Sequence, residues 1–291
     1  MKRFMYVVLF FSAVHCAADS NLNNVEKVGL ATAAGIAEGI SGLPCGWATD
    51  LRTNGAKEAF FAVLKRDFKA PYRGFWFNAA MMAPLCGLQK ALEVGLTHVL
   101  LQKGEQPTAT QGLAIAAGAG VGAALVATPQ ERVLFLMRTL KMDASSAVAN
   151  LFKLDGLRGV LRGFGPLATR DAVFTAAWLK GNGMVKGLVA EHLVDNPLVT
   201  VPAAAVVVGV PAGMFTQALH VARARQFAHR GSTGKSFVRA VREVYQEGGV
   251  KALHKGGVPR ALRIVSALAT MGFVMDELAQ YYTALKNKLS E

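Results

Sequence analysis

The sequence has few acidic residues and few cysteines. Its 291 residues contain 19 Asp and Glu against 32 Lys and Arg, so the formal net charge is +13. The three cysteines, Cys16, Cys45 and Cys86, have neither metal-site nor disulfide spacing. The six histidines include no pair spaced like HExxH. We therefore expect no bound metal and no cofactor. No nucleophile–base pair points to catalytic residues, so an enzyme is not expected.

A stripe of interleaved aromatic and basic residues is also missing. A basic chain can bind nucleic acid, anionic lipid or an anionic solute. Here the basic residues lie at the ends of apolar segments, which disfavours nucleic acid. Hydrophobic residues make up 52% of the chain, and its mean hydropathy is +0.31. These values are too apolar for an ordinary soluble domain of this length and favour a membrane protein.

Residues 1–20 differ from the rest of the chain. Lys2-Arg3, the apolar run FMYVVLFFSAV and the small residues around Cys16 follow the order of a secretory signal peptide. The run is shorter than the roughly twenty residues that cross a bilayer. The segment is either a cleaved targeting signal or an apolar leader. A signal peptide would fit a plastid envelope, or another organelle membrane, reached through the endoplasmic reticulum.

A basic residue followed by glycine recurs three times in the chain. These dipeptides are Arg73-Gly74, Arg162-Gly163 and Lys255-Gly256, and their glycines are 89 and 93 residues apart. A period of this length indicates an internal repeat. We predict three repeats after the leader, spanning residues 25–105, 106–193 and 194–291.

Each repeat contains a long apolar segment, a short amphipathic segment and a second long apolar segment. Each long segment exceeds the roughly twenty residues needed to span a bilayer. The sequence therefore predicts an all-α membrane protein with six transmembrane helices and three short amphipathic helices on the side of the basic loops. The long helices are predicted at Val25–Thr53, from after Gly74 to Leu101, and at Thr110–Lys141, Phe164–Ala190, Leu198–Ala228 and Gly257–Lys286. The short helices are predicted near Ala56–Phe68, Ser145–Leu154 and Gly234–Gly249.

Small residues and prolines mark the odd-numbered long helices. Small residues four positions apart permit close helix contact in lipid, where hydrophobicity does not drive association. Proline removes a helical hydrogen bond and kinks the chain. The predicted contact positions are Gly35/Gly39, Gly118/Gly122 and Ala205/Gly209, and the predicted kinks are at Pro44 and Pro129.

From about Val25 to Lys286 the chain resembles the mitochondrial carrier family. The clearest motifs are the proline signature Thr128-Pro129-Gln130-Glu131-Arg132 and the pattern Asp155-Gly156 followed by Arg162-Gly163. In the third repeat Ala218 replaces the signature proline. The resemblance implies a solute carrier of the mitochondrial inner membrane that works by alternating access.

The gate motifs of that family are only partly present here. The resemblance implies a matrix-side ring of acid–base pairs, of which Glu131–Arg223 remains. On the opposite side it implies a second ring, of which Asp276–Lys186 remains. On the matrix side, the positions where the family has acids hold Gly46, Glu131 and His220 in this chain. The positions where it has bases hold Thr49, Leu134 and Arg223. On the opposite side of the membrane, the acid positions hold Val94, Gly183 and Asp276. The base positions there hold Thr97, Lys186 and Ala279.

The resemblance also implies a central substrate site on the even-numbered long helices. Arg170, Asp171 and Arg263 occupy its second and third contact points, and Gln89 is the polar residue near the first. Two arginines facing a cavity favour a carboxylate or phosphate, which guanidinium binds through paired hydrogen bonds. The alternative is that these charges are buried structural pairs.

Glycines at the starts of the even-numbered long helices form a third group. Amides at a helix N-terminus bind anions, and the resemblance implies cardiolipin as the lipid partner. A helix cap is the alternative role. The first repeat has Asp67-Phe68 where the others have acid-Gly. The implied lipid-binding residues are Gly74, Gly156, Gly163, Gly248 and Gly256.

Two functions remain open from the sequence. One is a transporter of a small anionic or amino-acid-like metabolite. The other is a carrier-fold protein that no longer transports and instead contacts neighbouring subunits of a larger membrane complex, such as a respiratory one. The incomplete gates favour the second, and the charges of the central site favour the first.

Overall fold

A computed structural model describes residues 23–42, 45–49, 75–102, 105–140, 142–192, 196–228 and 237–290. Within these ranges the chain is helical and has no strands, which confirms the predicted all-α class. Residues 45–49 form a further helical stretch after the first helix. The helices are α1 (Asn24–Ser41), α2 (Phe75–Leu100), α3 (Ala109–Leu140), α4 (Ala144–Val160), α5 (Phe164–Ala176), a π-helical segment (Ala177–Gly181), α6 (Asn182–His192), α7 (Pro197–Ala228), α8 (Phe237–Leu253) and α9 (Gly257–Ser290).

The long helices pack in chain order as a closed ring. Contacts run from α1 to α2, α3, α5, α7 and α9, and α9 returns to α1. Among the described helices, three contain stretches long and apolar enough to cross a membrane: Ala109–Met137, Pro197–Gln226 and Gly257–Leu278. Because none of the described helices occupies the centre of the ring, its inward faces surround a space that polar side chains can line.

The predicted fourth long helix is interrupted. The rod from Phe164 to His192 consists of α5, the π-helical segment and α6. A π turn inserts one residue into a helix and is frequent at functional sites. The insertion rotates every later side chain relative to α5, so positions beyond Gly181 no longer keep a simple helical spacing from Arg170.

Two short amphipathic helices pack on the ring. α4 packs on α3, where Ala147 and Leu151 contact Val133, and α8 packs on α7. Asp143 caps α4 by accepting a hydrogen bond from the Ser146 amide at 3.0 Å. The Ser145 hydroxyl and the Ser146 amide hold the pKa of Asp143 below its usual range. The predicted first amphipathic helix lies outside the described residues.

Proline does not end the third long helix. α3 continues through Pro129, and the hydroxyl of Thr128 donates to the Ala124 carbonyl at 2.6 Å. α7 likewise contains Pro202 and Pro211. The other predicted kink, Pro44, lies outside the described residues.

Glycines allow the long helices to approach closely, as their spacing predicts. A Cβ on Gly35 would lie 2.6 Å from the Met82 carbonyl oxygen, and one on Gly209 would lie 3.1 Å from the Val265 Cα. The tightest approach in the third helix is at Gly120, between the two predicted positions. A Cβ there would lie 2.4 Å from the Asp171 carbonyl oxygen and 2.8 Å from Thr175 Oγ1.

Gly120→Ala should therefore destabilise the protein by about 1–3 kcal/mol, because two helix backbones must separate to admit the methyl group. Thermal unfolding in detergent measures the effect. The matched control is Gly187→Ala in α6, where a Cβ meets nothing within 4 Å. That variant should be neutral or gain up to about 1 kcal/mol from helix propensity. Equal stability of the two variants would contradict the close approach.

Candidate functional site

A charged cavity lies inside the ring, and all six long helical rods contribute to its lining. Its polar lining residues are Glu38, Thr49, Asn78, Gln89, Gln130, Glu131, Arg170, Asp171, His220, Arg223, Arg260 and Arg263. Four arginines face three carboxylates, so with His220 neutral the lining carries a net charge of +1. Such a charge inside a membrane protein is costly unless a ligand or partner compensates it.

The four residues predicted to bind substrate all line this cavity. Arg170 donates through Nε to Asp171 Oδ1 at 2.7 Å, and both residues are buried on α5. Gln89 on α2 is buried, and its Oε1 has no hydrogen-bond partner. Arg263 lies on α9. The structure thus brings together residues from three helices that the sequence separates by up to 174 positions, although their role in binding stays a prediction.

Glu131 connects the predicted matrix-side gate with the predicted substrate site. Its Oε1 accepts from Arg170 Nη1 at 2.7 Å, and its Oε2 accepts from Arg223 Nη1. Arg223 Nη2 also donates to His220 Nδ1 at 2.9 Å. The Glu131–Arg223 pair is therefore formed, but the same carboxylate also binds an arginine of the central site. Its action as a gate stays a prediction.

Sequence spacing did not identify Glu38, which pairs with Arg263. Arg263 Nη2 donates to Glu38 Oε1 at 2.9 Å, joining the first and last helices of the ring. The Glu38 side chain is 1% exposed. An ionisable residue within an apolar, small-residue helix was the available signal, because such residues in membrane segments are rare and often functional.

Arg260 is the second charged residue of the cavity that the sequence motifs did not predict. It lies one helical turn before Arg263 on α9 and is 3% exposed. Its Nε has no hydrogen-bond partner, and no ion pair involves its guanidinium within the part of the chain that the structure describes. Arg170, Arg223, Arg263 and Glu131 lie within electrostatic range of it. Its i, i+3 spacing from Arg263 in the run GVPRALRIVS was the usable signal.

Two ion pairs join the even-numbered rods away from the cavity. Lys186 in α6 pairs with Asp276 in α9, as the sequence predicts. In addition, Lys180 of the π-helical segment lies 2.8 Å from Glu93 of α2, and Lys90 contacts the same carboxylate. Lys186–Asp276 is the pair at the signature positions, and Lys180–Glu93 lies outside them. Glu93 is one residue before the acid position of the signature, and Lys180 lies in the π-helical segment, so the signature spacing does not pair them.

Of the glycines predicted to bind lipid, Gly163 and Gly256 directly precede helix starts, and Gly156 and Gly248 lie at kinks inside α4 and α8. Gly163 has a φ of 85° and caps α5 without a side-chain hydrogen bond, and Gly256 has the same φ just before α9. Gly156 has a φ of 59°. In the third repeat the left-handed residue is Gly249, with a φ of 61°, whereas the predicted Gly248 has an extended φ of −174°. Gly74 lies outside the described residues, and lipid binding stays a prediction for all of them.

Comparison with known proteins agrees with this geometry. A family model described as mitochondrial carrier protein matches residues 195–286. The chain is 28% identical over 238 residues to mitochondrial substrate carrier family protein S of Dictyostelium discoideum, covering 77% of this chain and 81% of that protein. It is 23% identical over 216 residues to the mitochondrial glycine transporter of Homo sapiens, covering 70% of each. It is 26% identical over 167 residues to a mitochondrial glutathione transporter of Danio rerio, covering 53% of this chain and 47% of that protein.

A ring of long helices around a charged central cavity, with three helices long and apolar enough to cross a membrane, is typical of a membrane carrier. The chain is similar to the mitochondrial carrier family, which is the family that the motifs at Pro129 and Gly163 predict. Its relatives are named as solute carriers and transporters, which supports a solute carrier.

Proposed function

We propose that the protein transports a small anionic or amino-acid-like metabolite across the mitochondrial inner membrane by alternating access. Arg260 carries this proposal. A buried guanidinium without an acceptor is costly, and here it lies in a cavity whose lining has a net positive charge. A bound carboxylate would accept two parallel hydrogen bonds from it and neutralise that charge.

The named relatives support the same class of solute. One is named as a glycine transporter and another as a glutathione transporter, and both molecules carry amino and carboxylate groups. Asp171, beside Arg170, adds an acceptor of the kind that an amino group needs.

The names of these relatives also support a mitochondrial location. The turns at Gly163 and Gly256 are proposed to hold cardiolipin phosphates at the N-termini of α5 and α9.

Uptake into liposomes tests the proposal. The purified protein is reconstituted with cardiolipin, and uptake is measured for labelled monocarboxylates, dicarboxylates, amino acids and phosphates, with neutral sugars as controls. Selective uptake of one carboxylate-bearing class supports the proposal. Thermal stabilisation by that class provides a second readout, since a ligand of the folded state raises the Tm.

Arg263→Ala should reduce uptake of the selected solute roughly tenfold, because a charge-assisted hydrogen bond is lost from the cavity. The fold should persist, as judged by thermal unfolding. Unchanged uptake in this variant would exclude Arg263 from the site. Failure of every solute to be taken up or to stabilise the wild-type protein would overturn transport and leave the role of a subunit in a membrane complex.

A further inference from the structure

We infer that Glu38 on α1 forms a cation-binding half of the central site, so that the transported solute carries an ammonium group as well as a carboxylate. The inference rests on the proposed function and narrows it to zwitterions. It adds a residue from the first helix to a site predicted only on α2, α5 and α9.

One oxygen of Glu38 has no donor. Oε1 accepts from Arg263 at 2.9 Å, whereas Oε2 is fully buried and has no hydrogen-bond partner. Glu38 lines the cavity, and its side chain is 1% exposed. A buried carboxylate oxygen without a donor loses its hydration without compensation. An N–H donor on a bound solute would supply the missing bond.

Two glycines one turn apart leave room beside this carboxylate. A Cβ on Gly42 would lie 2.9 Å from Glu38 Oε1, and a Cβ on Gly46 would lie 3.4 Å from Arg263 Cδ. Both glycines line the cavity with Glu38 and Arg263. The absence of side chains at these two positions is what keeps the Glu38–Arg263 pair accessible to a small molecule.

The unsatisfied groups of the cavity match a zwitterion better than a simple anion. Asp171 Oδ2, like Glu38 Oε2, is buried without a donor, while Arg260 Nε lacks an acceptor. A carboxylate alone would satisfy Arg260 but leave both oxygens unpaired and repel them. An amino acid offers a carboxylate to the arginine and three N–H donors to the carboxylates.

Pairs of solutes that differ only in the amino group test the inference. The probes are glycine with glycolate, alanine with lactate and serine with glycerate, measured by uptake into liposomes and by thermal shift. The wild-type protein should prefer the amino member of each pair. Glu38→Gln keeps the size and an acceptor but removes the charge, and should lower that preference roughly 10- to 100-fold, the value of a charge-assisted hydrogen bond.

Glu93→Gln is the matched control. Glu93 is also a buried carboxylate paired with a basic residue, but it does not line the cavity. Its replacement should leave the preference between amino and hydroxy acids unchanged, even where the rate changes. An equal loss of preference in both variants would assign the effect to a general loss of buried ion pairs and overturn the inference.

Gly42→Ala is a second test that keeps the Glu38 charge. The added methyl group must displace Glu38 Oε1, so the amino preference should fall here as well. This variant decides the question if Glu38→Gln does not fold. Equal uptake of amino and hydroxy acids by the wild-type protein overturns the zwitterion while the proposed transport of anions stands. Absence of uptake for both members of every pair instead counts against transport itself.

Discussion

Replacing Arg260 with methionine should stabilise the solute-free protein and lower uptake by roughly 30-fold or more. The stabilisation should be about 1–4 kcal/mol, because methionine fills a similar volume without a buried charge. Three further arginines lie within electrostatic range of Arg260, and their repulsion is relieved as well. Uptake falls because the solute carboxylate loses a fully desolvated cationic partner, a loss worth about 2–5 kcal/mol.

Opposite changes in stability and uptake are what distinguish a ligand-binding arginine from a structural one. The measurements are thermal unfolding without solute and uptake into liposomes. Arg225→Met is the matched control on α7, since Arg225 is 41% exposed and pairs with the surface carboxylate of Glu247. That ion pair should contribute at most about 1 kcal/mol to the free energy of unfolding, and its loss should leave uptake unchanged. A lower Tm for Arg260→Met would show that Arg260 supports the fold instead.

The sequence predicts the helical fold well because its signals are local. Apolar length, the helix-starting glycines and the repeat period each depend on neighbouring residues, and the helix bounds agree within a few residues for α2, α3, α7 and α9. The π turn at Ala177–Gly181 was not predicted. No local pattern in AWLKG separates a π turn from an α turn, because packing of the segment against α3 and α7 decides the difference.

The site was predicted only where a motif fixes both partners. Glu131–Arg223 and Asp276–Lys186 follow from signature positions, and both pairs are present. Glu38 and Arg263 are 225 residues apart, and their contact depends on closure of the ring between α1 and α9. The sequence shows that each charge is unusual in a membrane helix, but only the three-dimensional packing shows which charges are paired and that Arg260 has no ion pair among the described residues.

Glu131→Gln should destabilise the protein by about 3–5 kcal/mol and increase uncoupled leak. The carboxylate holds Arg170 with one oxygen and Arg223 with the other, so its neutralisation weakens two ion pairs at once. The cavity lining would then carry four arginines against two carboxylates, a net charge of +2 instead of +1. Thermal unfolding measures the stability, and efflux of preloaded solute without a counter-solute measures the leak.

The two arginine contacts of Glu131 predict separable kinetic effects. Loss of the Arg223 contact loosens the predicted gate, which raises leak, whereas release of Arg170 changes the central site, which alters the KM for uptake. Glu247→Gln, which removes the exposed partner of Arg225, should change neither. In Arg223→Gln the Glu131–Arg223 pair is lost while the Glu131–Arg170 contact stays, so leak should rise with little change in KM. A matching change of KM in both variants, without added leak, would place Glu131 in solute binding alone and exclude it from the gate.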